Sequence, residues 1–550
     1  MGKYRNRYNR YLKKYFGYDE LKELQFKIIY FLLHRNKDIC AILATGYGKS
    51  ICYQLPFLLT KKCVIVISPL ISLMEDQMST LKELNINVCC LNSNNNNKNQ
   101  EKVNILHGES KIIYITPEYL LNCQQFIKKL ADNDNLCCFA IDESHCISSW
   151  SDNSFRPEYQ NLNCLRDWAP NTPILSLTAT ANEKVINDIH TFLQLKKSKI
   201  IKSSFDRPNL FLSVSKKTKD NIELDLKPLV TKYKDESIII YTRTRKDTEK
   251  ISGIINRFGI KCLPYHAGLN NELRHTTQDK FMKGKVKCIV ATIAFGMGIN
   301  NKHVRLVIQY GCSSNLTAYY QEIGRAGRDG KKSHCHLFYS SNDFRLNRYF
   351  MSNIEDIERR EYEEKQIIQM EKYLLTHMCR RKFILKYFGE EYNVKCNNCD
   401  NCNNSHNLKV MDLSNQSKLI LQLVEKLKVK RGCTTLVQIL RGSKAKKIKP
   451  FFKFNEYNKG TKYSEKWWKE MVRILITNDI LYEKTLESGF GNVIHIGSFG
   501  EEWYQKVKNK DNLSDDDKLI LPVTELLTKL EPTMNKSYDD ILEEFGLVSI

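Results

Sequence analysis

A glycine-rich stretch near the start of the chain, residues 41–56, limits the folds that this sequence can adopt. It reads AILATGYGKSICYQLP: a short apolar run, a turn with Gly46 and Gly48, then Lys49, Ser50 and a segment compatible with a helix. This order brings backbone amides together around a phosphate chain. We expect the glycines to let the backbone curl around a β-phosphate, Lys49 to reach the β- and γ-phosphates, and Ser50 to bind magnesium.

The stretch departs from the full phosphate-loop pattern at one position. The general pattern places a glycine where this chain has Leu43, so only the shorter form TGxGKS is present. A chance glycine-rich turn is therefore the alternative interpretation. Residues elsewhere in the chain have to decide between the two.

Around this loop the chain alternates short apolar runs with longer stretches of helical periodicity, as doubly wound α/β domains do. The first such region extends over residues 16–205, and the pattern starts again over 206–344. The sequence therefore predicts an α/β fold with two parallel-sheet lobes that could clamp a nucleotide. The predicted strands are Cys63–Ser68, Lys111–Thr116, Leu136–Asp142 and Ile174–Thr178 in the first lobe, and Ile238–Thr242, Cys288–Thr292 and Val304–Tyr310 in the second.

Length and charge restrict the class of protein. A chain of 550 residues is too long for one hydrophobic core, so we expect ~3 to 5 domains. Lys and Arg number 85 against 62 Asp and Glu, and the net charge of +23 favours a polyanionic partner such as nucleic acid. No apolar run approaches the ~20 residues of a membrane helix, so we expect no membrane partner. Nineteen scattered cysteines and no secretory signal favour a soluble protein in a reducing, intracellular compartment.

Two charged groups could complete a nucleotide site. Asp142 and Glu143 follow the apolar run LCCFAI, at the carboxyl end of a predicted strand, where parallel sheets bind ligands. We expect Asp142 to hold magnesium and Glu143 to deprotonate the water that attacks a γ-phosphate. The alternative is a solvent-facing acidic turn.

A pair of arginines in the second lobe could act on the same phosphate. The stretch QEIGRAGR places Arg325 and Arg328 three residues apart, and we predict that both lie on one helical face. An arginine from a second lobe can stabilise γ-phosphate charge when the lobes close. The alternative is an exposed basic helix.

A cysteine-rich segment marks a separate module at residues 345–410. Cys379 is followed by Cys396, Cys399 and Cys402 at C-x2-C-x2-C spacing, so four thiolates can converge tetrahedrally. The spacing predicts a closed structural zinc site. Free thiols and an iron–sulfur cluster remain alternatives, because such clusters use the same spacing.

The following segment, residues 411–510, is strongly basic in its middle. Fifteen Lys and Arg stand against four acidic residues between positions 425 and 473, which is typical of a nucleic-acid surface. We predict a helix that Gly442 ends, with Arg441, Ser443 and Lys444 binding duplex phosphates at its exit. A solvated basic helix is the alternative.

The two ends of the chain carry opposite charge. The first fifteen residues, 1–15, form a basic, tyrosine-rich arm to which we assign no role. The last forty, 511–550, carry ten acidic residues and three Lys, and we expect a helical or partly disordered tail.

Together these motifs resemble those of superfamily two helicases, and in detail those of the RecQ family of DNA helicases. They occur in the family's order and spacing over residues 16–340. The resemblance implies two RecA-like lobes followed by a helical zinc-binding module and a winged-helix domain. The stretch CNNCDNC is similar to part of the family's zinc-binding module, and LRGSK is similar to part of its winged-helix domain. The motifs read FGYDELKELQ, ATGYGKSICYQLP, SPLISLMEDQ, DESHCISSW, FRPEY, LTATA, SFDRPNL, YHAGL, ATIAFGMGIN and YYQEIGRAGRDG.

The resemblance also implies roles for individual residues. In FGYDELKELQ an aromatic ring stacks on adenine and a glutamine reads the base edge, although Lys22 replaces the family's usual arginine. Arg328 is our preferred arginine finger. The residues implied to bind ATP are Tyr18, Lys22, Gln25, Thr45, Gly46, Gly48, Lys49 and Ser50; those implied in catalysis are Lys49, Asp142, Glu143, Gln321, Arg325 and Arg328, with magnesium held by Ser50 and Asp142.

A loop directly after the carboxylate pair resembles the family's aromatic-rich loop, which couples contact with single-stranded DNA to hydrolysis. Trp150 and Phe155 can stack on bases without reading sequence, and Arg156 can bind a phosphate. Ser149 stands where glutamine is usual, and the spacer SDNS is one residue longer than usual, so the strength of coupling is open. A purely structural role for Trp150 is the alternative.

A β-hairpin is predicted where the family's winged-helix domain has its wing. The stretch from 480 to 496, ILYEKTLESGFGNVIHI, has apolar runs on both sides of SGFGN, which places Phe490 near the tip. In the family this hairpin separates strands, so Phe490 could stack on the terminal base pair. Alternatively, Phe490 packs into the core of its own domain.

The sequence therefore predicts an ATP-driven, magnesium-dependent DNA helicase that also binds zinc, with 3′-to-5′ polarity implied by the resemblance alone. Its expected partners are single-stranded and forked duplex DNA. An RNA helicase of superfamily two and a non-catalytic DNA-binding protein are the alternatives. We expect a nuclear location in a eukaryotic host and otherwise the cytoplasm or nucleoid. We also expect the family's helical accessory domain to be absent, since an acidic tail of forty residues is too short for it.

Overall fold

The computed structural model describes residues 2–92, 95, 97–148, 156–218, 221–295, 301–340, 342–344, 347, 354–403, 409–485, 492–510, 512–523 and 525–530. These residues form two compact units. The first contains the described residues within 1–347, 354–370 and 379–400, and the second contains those within 371–378 and 401–550. None of the described helices is both long enough and apolar enough to cross a membrane.

Seven strands of the first unit form one sheet: β1 (Ile39–Ile42), β2 (Cys63–Ile67), β3 (Val88–Leu91), β4 (Ile112–Ile115), β5 (Leu136–Ile141), β6 (Ile174–Thr178) and β7 (Lys199–Lys202). Their order is β3-β4-β2-β5-β6-β1-β7, and every neighbouring pair is parallel. The carboxyl ends of all seven strands therefore lie at the same edge of the sheet. Only β6 separates the loop after β1 from the loop after β5.

Helices cover the faces of this sheet, and its strands are almost completely buried except for the edge strand β7. The α-helices are α1 (Gly2–Phe16), α2 (Glu23–Arg35), α3 (Ile51–Thr60), α4 (Ile71–Glu83), α5 (Lys98–Leu106), α6 (Pro117–Leu120), α7 (Gln124–Asp132), α8 (Cys164–Trp168) and α9 (Glu183–Phe192). Short 3-10 helices cover Leu121–Cys123, Ser144–Ile147 and Pro157–Asn163.

A second parallel sheet follows in the same unit, as the repeated pattern predicts. Its strands are β8 (Leu210–Lys216), β9 (Ser237–Thr242), β10 (Cys262–Tyr265), β11 (Cys288–Ala291), β12 (Val304–Tyr310) and β13 (Ser333–Tyr339), in the order β10-β11-β9-β12-β13-β8. Helices α10 (Ile222–Lys232), α11 (Arg245–Arg257), α12 (Asn271–Met282) and α13 (Leu316–Ile323) connect them. The chain continues through α14 (Ile357–Leu375), α15 (Arg380–Tyr387) and α16 (Asp400–Asn403).

The N-terminal arm is part of the first lobe. Residues 2–16 form helix α1, whose Tyr8 and Leu12 are 1% and 2% exposed in the core of the first sheet. The Tyr8 hydroxyl also hydrogen-bonds the Nε2 atom of His34 over 2.7 Å. This packing was not predicted from the sequence, because only two side chains of the basic arm are buried. They lie four residues apart on one face of an otherwise polar helix.

The second unit packs helices around two buried tryptophans, Trp467 and Trp468, and carries the predicted hairpin. Strands β15 (Leu481–Thr485) and β16 (Asn492–Ile496) pair antiparallel. The remaining elements are β14 (Lys409–Asp412), α17 (Ser414–Lys426), α18 (Cys433–Leu440), α19 (Glu465–Thr477), α20 (Ser498–Val507), β17 (Ile520–Val523), α21 (Glu525–Lys529) and 3-10 helices over Lys446–Phe451 and Asp515–Asp517.

The expected acidic tail differs from the structure over its described part. Strand β17 lies within residues 511–550 and pairs antiparallel with β14. Leu521, Val523 and Leu527 are buried in the core of the second unit. The acidic side chains of this segment hid an apolar alternation that is sufficient to form an edge strand.

Candidate active site and zinc centre

The phosphate loop connects β1 to α3 at the carboxyl edge of the first sheet. Gly46 and Gly48 have φ angles of +82° and +91°, in the left-handed region that favours glycine. A Cβ atom at Gly48 would lie 2.6 Å from the amide nitrogen of Gln25, so a larger residue would displace that side chain. Leu43, which stands where the full pattern has glycine, is completely buried beneath the loop. The loop keeps the curled backbone with a core residue at that position.

The predicted adenine-binding segment contacts the phosphate loop directly. The Gln25 amide nitrogen donates to the carbonyls of Tyr47 and Gly48, each over 3.1 Å. The Lys22 ammonium group donates to the Tyr47 carbonyl over 3.0 Å. Both side chains therefore stabilise the loop, while the half-exposed ring of Tyr18 lines the same cleft. Their contact with adenine remains a prediction.

The two carboxylates lie at the end of β5, as predicted. The Asp142 amide donates to the Ile67 carbonyl of β2 over 2.9 Å, which extends the sheet pairing by one residue. Glu143 has a φ angle of +47°, a conformation that a non-glycine residue adopts at a cost of order 1–3 kcal/mol. His145 holds the Glu143 carboxylate at 3.4 Å and the Thr178 hydroxyl at 2.9 Å through its Nδ1 atom. These contacts fix the carboxylate on the cleft side of the sheet.

The two carboxylates are both buried, but neighbouring charges give them different acidities. Burial, and next the charge of Glu143, raises the pKa of Asp142 to about 7. Burial also raises the pKa of Glu143, but nearby cations, Lys49 first, lower it overall below its ordinary value. Asp142 is thus a buried carboxyl group that a divalent cation would stabilise as the anion, while Glu143 stays ionised and can accept a proton.

The arginine pair does not lie on a helical face, so that prediction was wrong. Helix α13 ends at Ile323, and Arg325 and Arg328 lie in consecutive turns that include Gly327 at a φ of +53°. A Cβ atom at Gly327 would lie 2.4 Å from the amide nitrogen of Asn209, so this turn needs glycine. The glycines on both sides of the arginines end the helix and curl the loop.

This arginine loop, residues 324–328, approaches the phosphate loop closely. Burial, then the charges of Arg325 and Arg207, lowers the pKa of Arg328 to about 9. Buried cations that repel one another in this way favour an anion such as a phosphate group. From the preceding helix, the Gln321 amide donates to the hydroxyl of Thr180 in the first lobe over 2.8 Å.

One cleft of about 680 Å³ joins these groups. Phosphate-loop residues including Lys49, the two carboxylates and the two arginines all line it, and these are the groups that a magnesium–nucleoside triphosphate requires. Its lining includes every residue predicted to bind or hydrolyse ATP: Tyr18, Lys22, Gln25, Thr45, Gly46, Gly48, Lys49, Ser50, Asp142, Glu143, Gln321, Arg325 and Arg328.

The structure adds residues that the sequence analysis did not single out. His145 and Asp76 also line the cleft, and Arg207 donates a hydrogen bond to the Thr45 carbonyl of the phosphate loop. All three lie inside quoted motifs, DESHCISSW, SPLISLMEDQ and SFDRPNL. Their neighbours in those motifs were the available signal, but only the coordinates show which side chains point toward the loop.

The four predicted zinc ligands converge. The sulfur atoms of Cys379, Cys396, Cys399 and Cys402 all lie within 4.8 Å of one another. Zinc with four bonds of ~2.3 Å requires sulfur atoms roughly 3.8 Å apart, so small shifts would complete a tetrahedron. Zinc binds cysteine as the thiolate, so binding of the metal would release the protons that these thiols share.

The predicted DNA-binding residues are only partly described. Trp150, Phe155 and Phe490 lie outside the described residues. Arg156 is the first described residue after position 148, and its guanidinium lies 3.6 Å from the carboxylate of Glu118.

In the second unit, helix α18 ends at Leu440 as predicted, and Gly442 follows with a φ of +68°. Arg441 and Lys444 are exposed and Ser443 is half-buried on this turn. A Cβ atom at Gly442 would lie 1.9 Å from the side-chain oxygen of Asn458, so the turn needs glycine. The three residues therefore share one short surface segment.

Four protein-family patterns match the chain in succession. They are the DEAD/DEAH box helicase domain at residues 22–189, the helicase conserved C-terminal domain at 219–330, the RecQ zinc-binding domain at 341–403 and the RQC domain at 407–513. They coincide with the two sheets, the cysteine cluster and the second unit. The cluster is therefore a zinc site, and the cofactors of the chain are ATP, magnesium and zinc.

Individual helicases are also similar to this chain over most of its length. A protein of Acanthamoeba polyphaga mimivirus named as an ATP-dependent RNA helicase is 43% identical over 87% of this chain and 88% of its own length. The ATP-dependent DNA helicase RecQ of Bacillus subtilis is 36% identical over 80% of this chain and 73% of its own length. The bifunctional 3′-5′ exonuclease/ATP-dependent helicase WRN of Mus musculus is 36% identical over 90% of this chain but only 36% of its own length.

A solved structure supports the fold alone. Mycobacterium smegmatis helicase Lhr bound to ssDNA and AMP-PNP matches 90% of this chain and 61% of its own with a TM-score of 0.50 at 15% identity. The cleft, the cysteine cluster and the matched domains occur here in one chain and in one order. The chain therefore belongs to the RecQ family of superfamily two helicases, and it is an ATP-dependent DNA helicase.

Proposed function

We propose that this protein couples ATP hydrolysis to 3′-to-5′ translocation on single-stranded DNA and to the unwinding of forked duplexes. One observation carries the coupling: the arginines of the second lobe and the phosphate loop and carboxylates of the first line a single cleft. Hydrolysis then depends on the relative position of the two lobes. A change in that position during each ATP cycle can move DNA bound across the lobes.

The residues of the cleft divide the chemical work among them. The phosphate-loop amides and Lys49 bind the phosphates, and Glu143 accepts a proton from the attacking water. Arg328 and Arg325 stabilise the negative charge that develops on the γ-phosphate. Magnesium, when bound, would neutralise phosphate charge, and Ser50 and Asp142 are the residues placed to hold it.

DNA is the nucleic acid that we favour over RNA. The zinc-binding and RQC domains are the support, together with the exposed basic turn at Arg441 and Lys444. The mimivirus relative is named as an RNA helicase, so unwinding of RNA duplexes in addition to DNA is the second candidate. A non-catalytic DNA-binding protein is disfavoured, because Lys49, Glu143 and Arg328 are all present and line the cleft. The proposed location is wherever the host keeps its DNA, which is the nucleus in a eukaryote and otherwise the cytoplasm or nucleoid.

A strand-displacement assay tests both polarity and substrate. DNA and RNA duplexes of the same sequence would carry either a 3′ or a 5′ single-stranded overhang. We expect ATP-dependent unwinding of the DNA duplex with a 3′ overhang only. Unwinding of the RNA duplex as well would favour the second candidate, and unwinding from a 5′ overhang would contradict the proposed polarity.

We expect single-stranded DNA to raise ATP turnover through Trp150. Replacing Trp150 with Ala should abolish the stimulation and leave the basal rate near that of the wild type, because an indole can stack on bases but does not bind the phosphates of ATP. Turnover should be measured with and without single-stranded DNA. Trp150→Phe, which keeps an aromatic ring, should keep most of the stimulation. Equal stimulation in Trp150→Ala and wild type would exclude this residue as the coupler.

We expect Phe490 to separate strands at the predicted wing. Phe490→Ala should lower the number of base pairs unwound per ATP hydrolysed while DNA-stimulated turnover stays near wild type, since stacking on the terminal pair offsets part of a cost of a few kcal/mol per step. Phe499→Ala removes an aromatic side chain that is 46% exposed in the same unit and serves as the control. If both variants unwind like the wild type, the strand separator lies elsewhere.

A further inference from the structure

The linker between the two sheets, residues 203–209, contains an arginine that contacts both lobes. The Nη1 atom of Arg207 donates to the Thr45 carbonyl of the phosphate loop over 3.3 Å and to the Gly324 carbonyl over 3.4 Å. Its Nη2 atom donates to the carbonyls of Ala326 and Gly327 over 2.8 and 3.1 Å. One guanidinium group thus bridges the phosphate loop and the arginine loop.

Arg207 is not among the residues that line the nucleotide cleft. Its four acceptors are all backbone carbonyls, so its contacts fix the path of the chain and do not bind phosphate. Two of those carbonyls, Gly324 and Ala326, stand on either side of Arg325. The planar fork of an arginine matches such a set of acceptors, whereas a lysine ammonium group has neither the planarity nor the reach.

The linker is itself held by the first part of the zinc-binding module. The Phe205 ring stacks on Phe388 with centroids 4.3 Å apart and planes 10° from parallel. The Phe205 amide donates to Glu390 over 2.6 Å, and the Ser204 hydroxyl donates to the same carboxylate over 2.8 Å. Two consecutive linker residues are therefore bound by residues that directly follow helix α15.

Contacts next to the cysteines complete this attachment. Arg381 is 5% exposed, donates to Asp206 over 2.5 Å and lies two residues after Cys379. The Asn398 amide, between Cys396 and Cys399 in the sequence, donates to the Pro208 carbonyl over 2.8 Å. Every linker residue from 204 to 208 except Arg207 is thus held by residues 381–398, and Arg207 itself extends toward the active site.

We infer that Arg207 is a positioning residue for ATP hydrolysis, and that residues 379–400 of the zinc-binding module hold it in register through the linker. The arginine loop has no other described hydrogen bond from the linker to its carbonyls except that of Asn209, which donates to Gly327 over 2.9 Å. Loss of the Arg207 fork would let Arg325 and Arg328 move relative to the phosphate loop. The inference rests on the proposed ATP hydrolysis and adds a structural connection from the zinc module to that chemistry.

The first test replaces Arg207 with Ala and with Lys. We expect kcat for ATP hydrolysis to fall on the order of 10- to 100-fold in Arg207→Ala, because small displacements of transition-state groups have costs of this size. The ADP dissociation constant should change less than about threefold, while affinity for ADP with aluminium fluoride falls along with kcat. Arg207→Lys keeps the positive charge, and its kcat should lie between those of the wild type and Arg207→Ala. If the Ala variant does not fold, the Lys variant still tests the inference.

The second test removes two hydrogen bonds of the attachment, those of Ser204 and Phe205 to Glu390, and leaves the guanidinium in place. Glu390→Ala should lower kcat about 3- to 10-fold while zinc content stays at one per chain. The double variant with Arg207→Ala should be no slower than Arg207→Ala alone, because both changes act through the same contact. The control Arg257→Ala removes an exposed arginine that pairs with Glu223 in the second lobe and should change nothing.

Two results would overturn the inference. One is a kcat for Arg207→Ala within twofold of an active wild type. The other is either a Glu390→Ala variant as fast as the wild type, or a double variant whose loss equals the product of two measurable single losses; both would mean that Glu390 does not act through Arg207. Failure of the proposed function would be visible separately, as a wild-type protein without ATP turnover.

Discussion

Replacing Glu143 with Gln should reduce kcat for ATP hydrolysis by about 10²-fold or more. The amide preserves the shape of the side chain but cannot accept the proton of the attacking water. Glu143 is suited to that role because nearby cations, Lys49 first, lower its pKa and keep it ionised in spite of burial. We expect ATP and DNA to bind with affinities within about threefold of wild type.

Steady-state turnover and a fluorescent-nucleotide titration separate these two effects. Lys49→Ala is the informative contrast, since loss of the phosphate contact should weaken nucleotide binding itself. Glu183→Gln, an exposed change at the start of helix α9, controls for the loss of one charge. A turnover rate for Glu143→Gln within threefold of wild type would rule out Glu143 as the general base.

Cys399→Ser should cost the protein its zinc and much of its stability. Structural zinc sites contribute on the order of 10 kcal/mol of folding free energy in small zinc-binding peptides, and a serine hydroxyl does not replace a thiolate. Cys399 is completely buried, and its backbone forms an isolated β-bridge with Leu212 of β8. We therefore expect less than one zinc per chain and aggregated or partly unfolded protein.

Metal analysis and thermal unfolding measure this effect. Cys164→Ser changes a half-buried cysteine of the first lobe outside the cluster and should retain zinc and a normal melting temperature. One equivalent of zinc in a normally folded Cys399→Ser protein would mean that the four-thiolate assignment is wrong. Equimolar iron in the wild type would point to the iron–sulfur alternative.

The sequence was sufficient for most central strands of both sheets, all except β1 and β13, and insufficient for the edge strands. Each of the seven predicted strands is present within one residue of its expected ends. The strands that we did not predict include all four edge strands, β3, β7, β8 and β10. A central strand is buried on both faces and reads as an apolar run, whereas an edge strand such as KIIK keeps polar residues on its open side.

The active site was predictable to the level of residues but not of geometry. All thirteen predicted nucleotide-site residues line one cleft, because phosphate binding at a strand end requires those residue types in a fixed local order. The helical placement of Arg325 and Arg328 failed because spacing alone cannot reveal that glycines interrupt the helix. Arg207 was missed because it contacts only backbone carbonyls, which every residue type has, so no sequence motif identifies them.

The pairing of β14 with β17 determines how the second unit responds to tension. Lys409 lies opposite Val523, so the start of β14 and the end of β17 lie at the same end of the ladder. The ladder bonds run perpendicular to antiparallel strands. Pulling on the two ends would therefore load these bonds one after another, as in opening a zip, instead of shearing all four residue pairs at once.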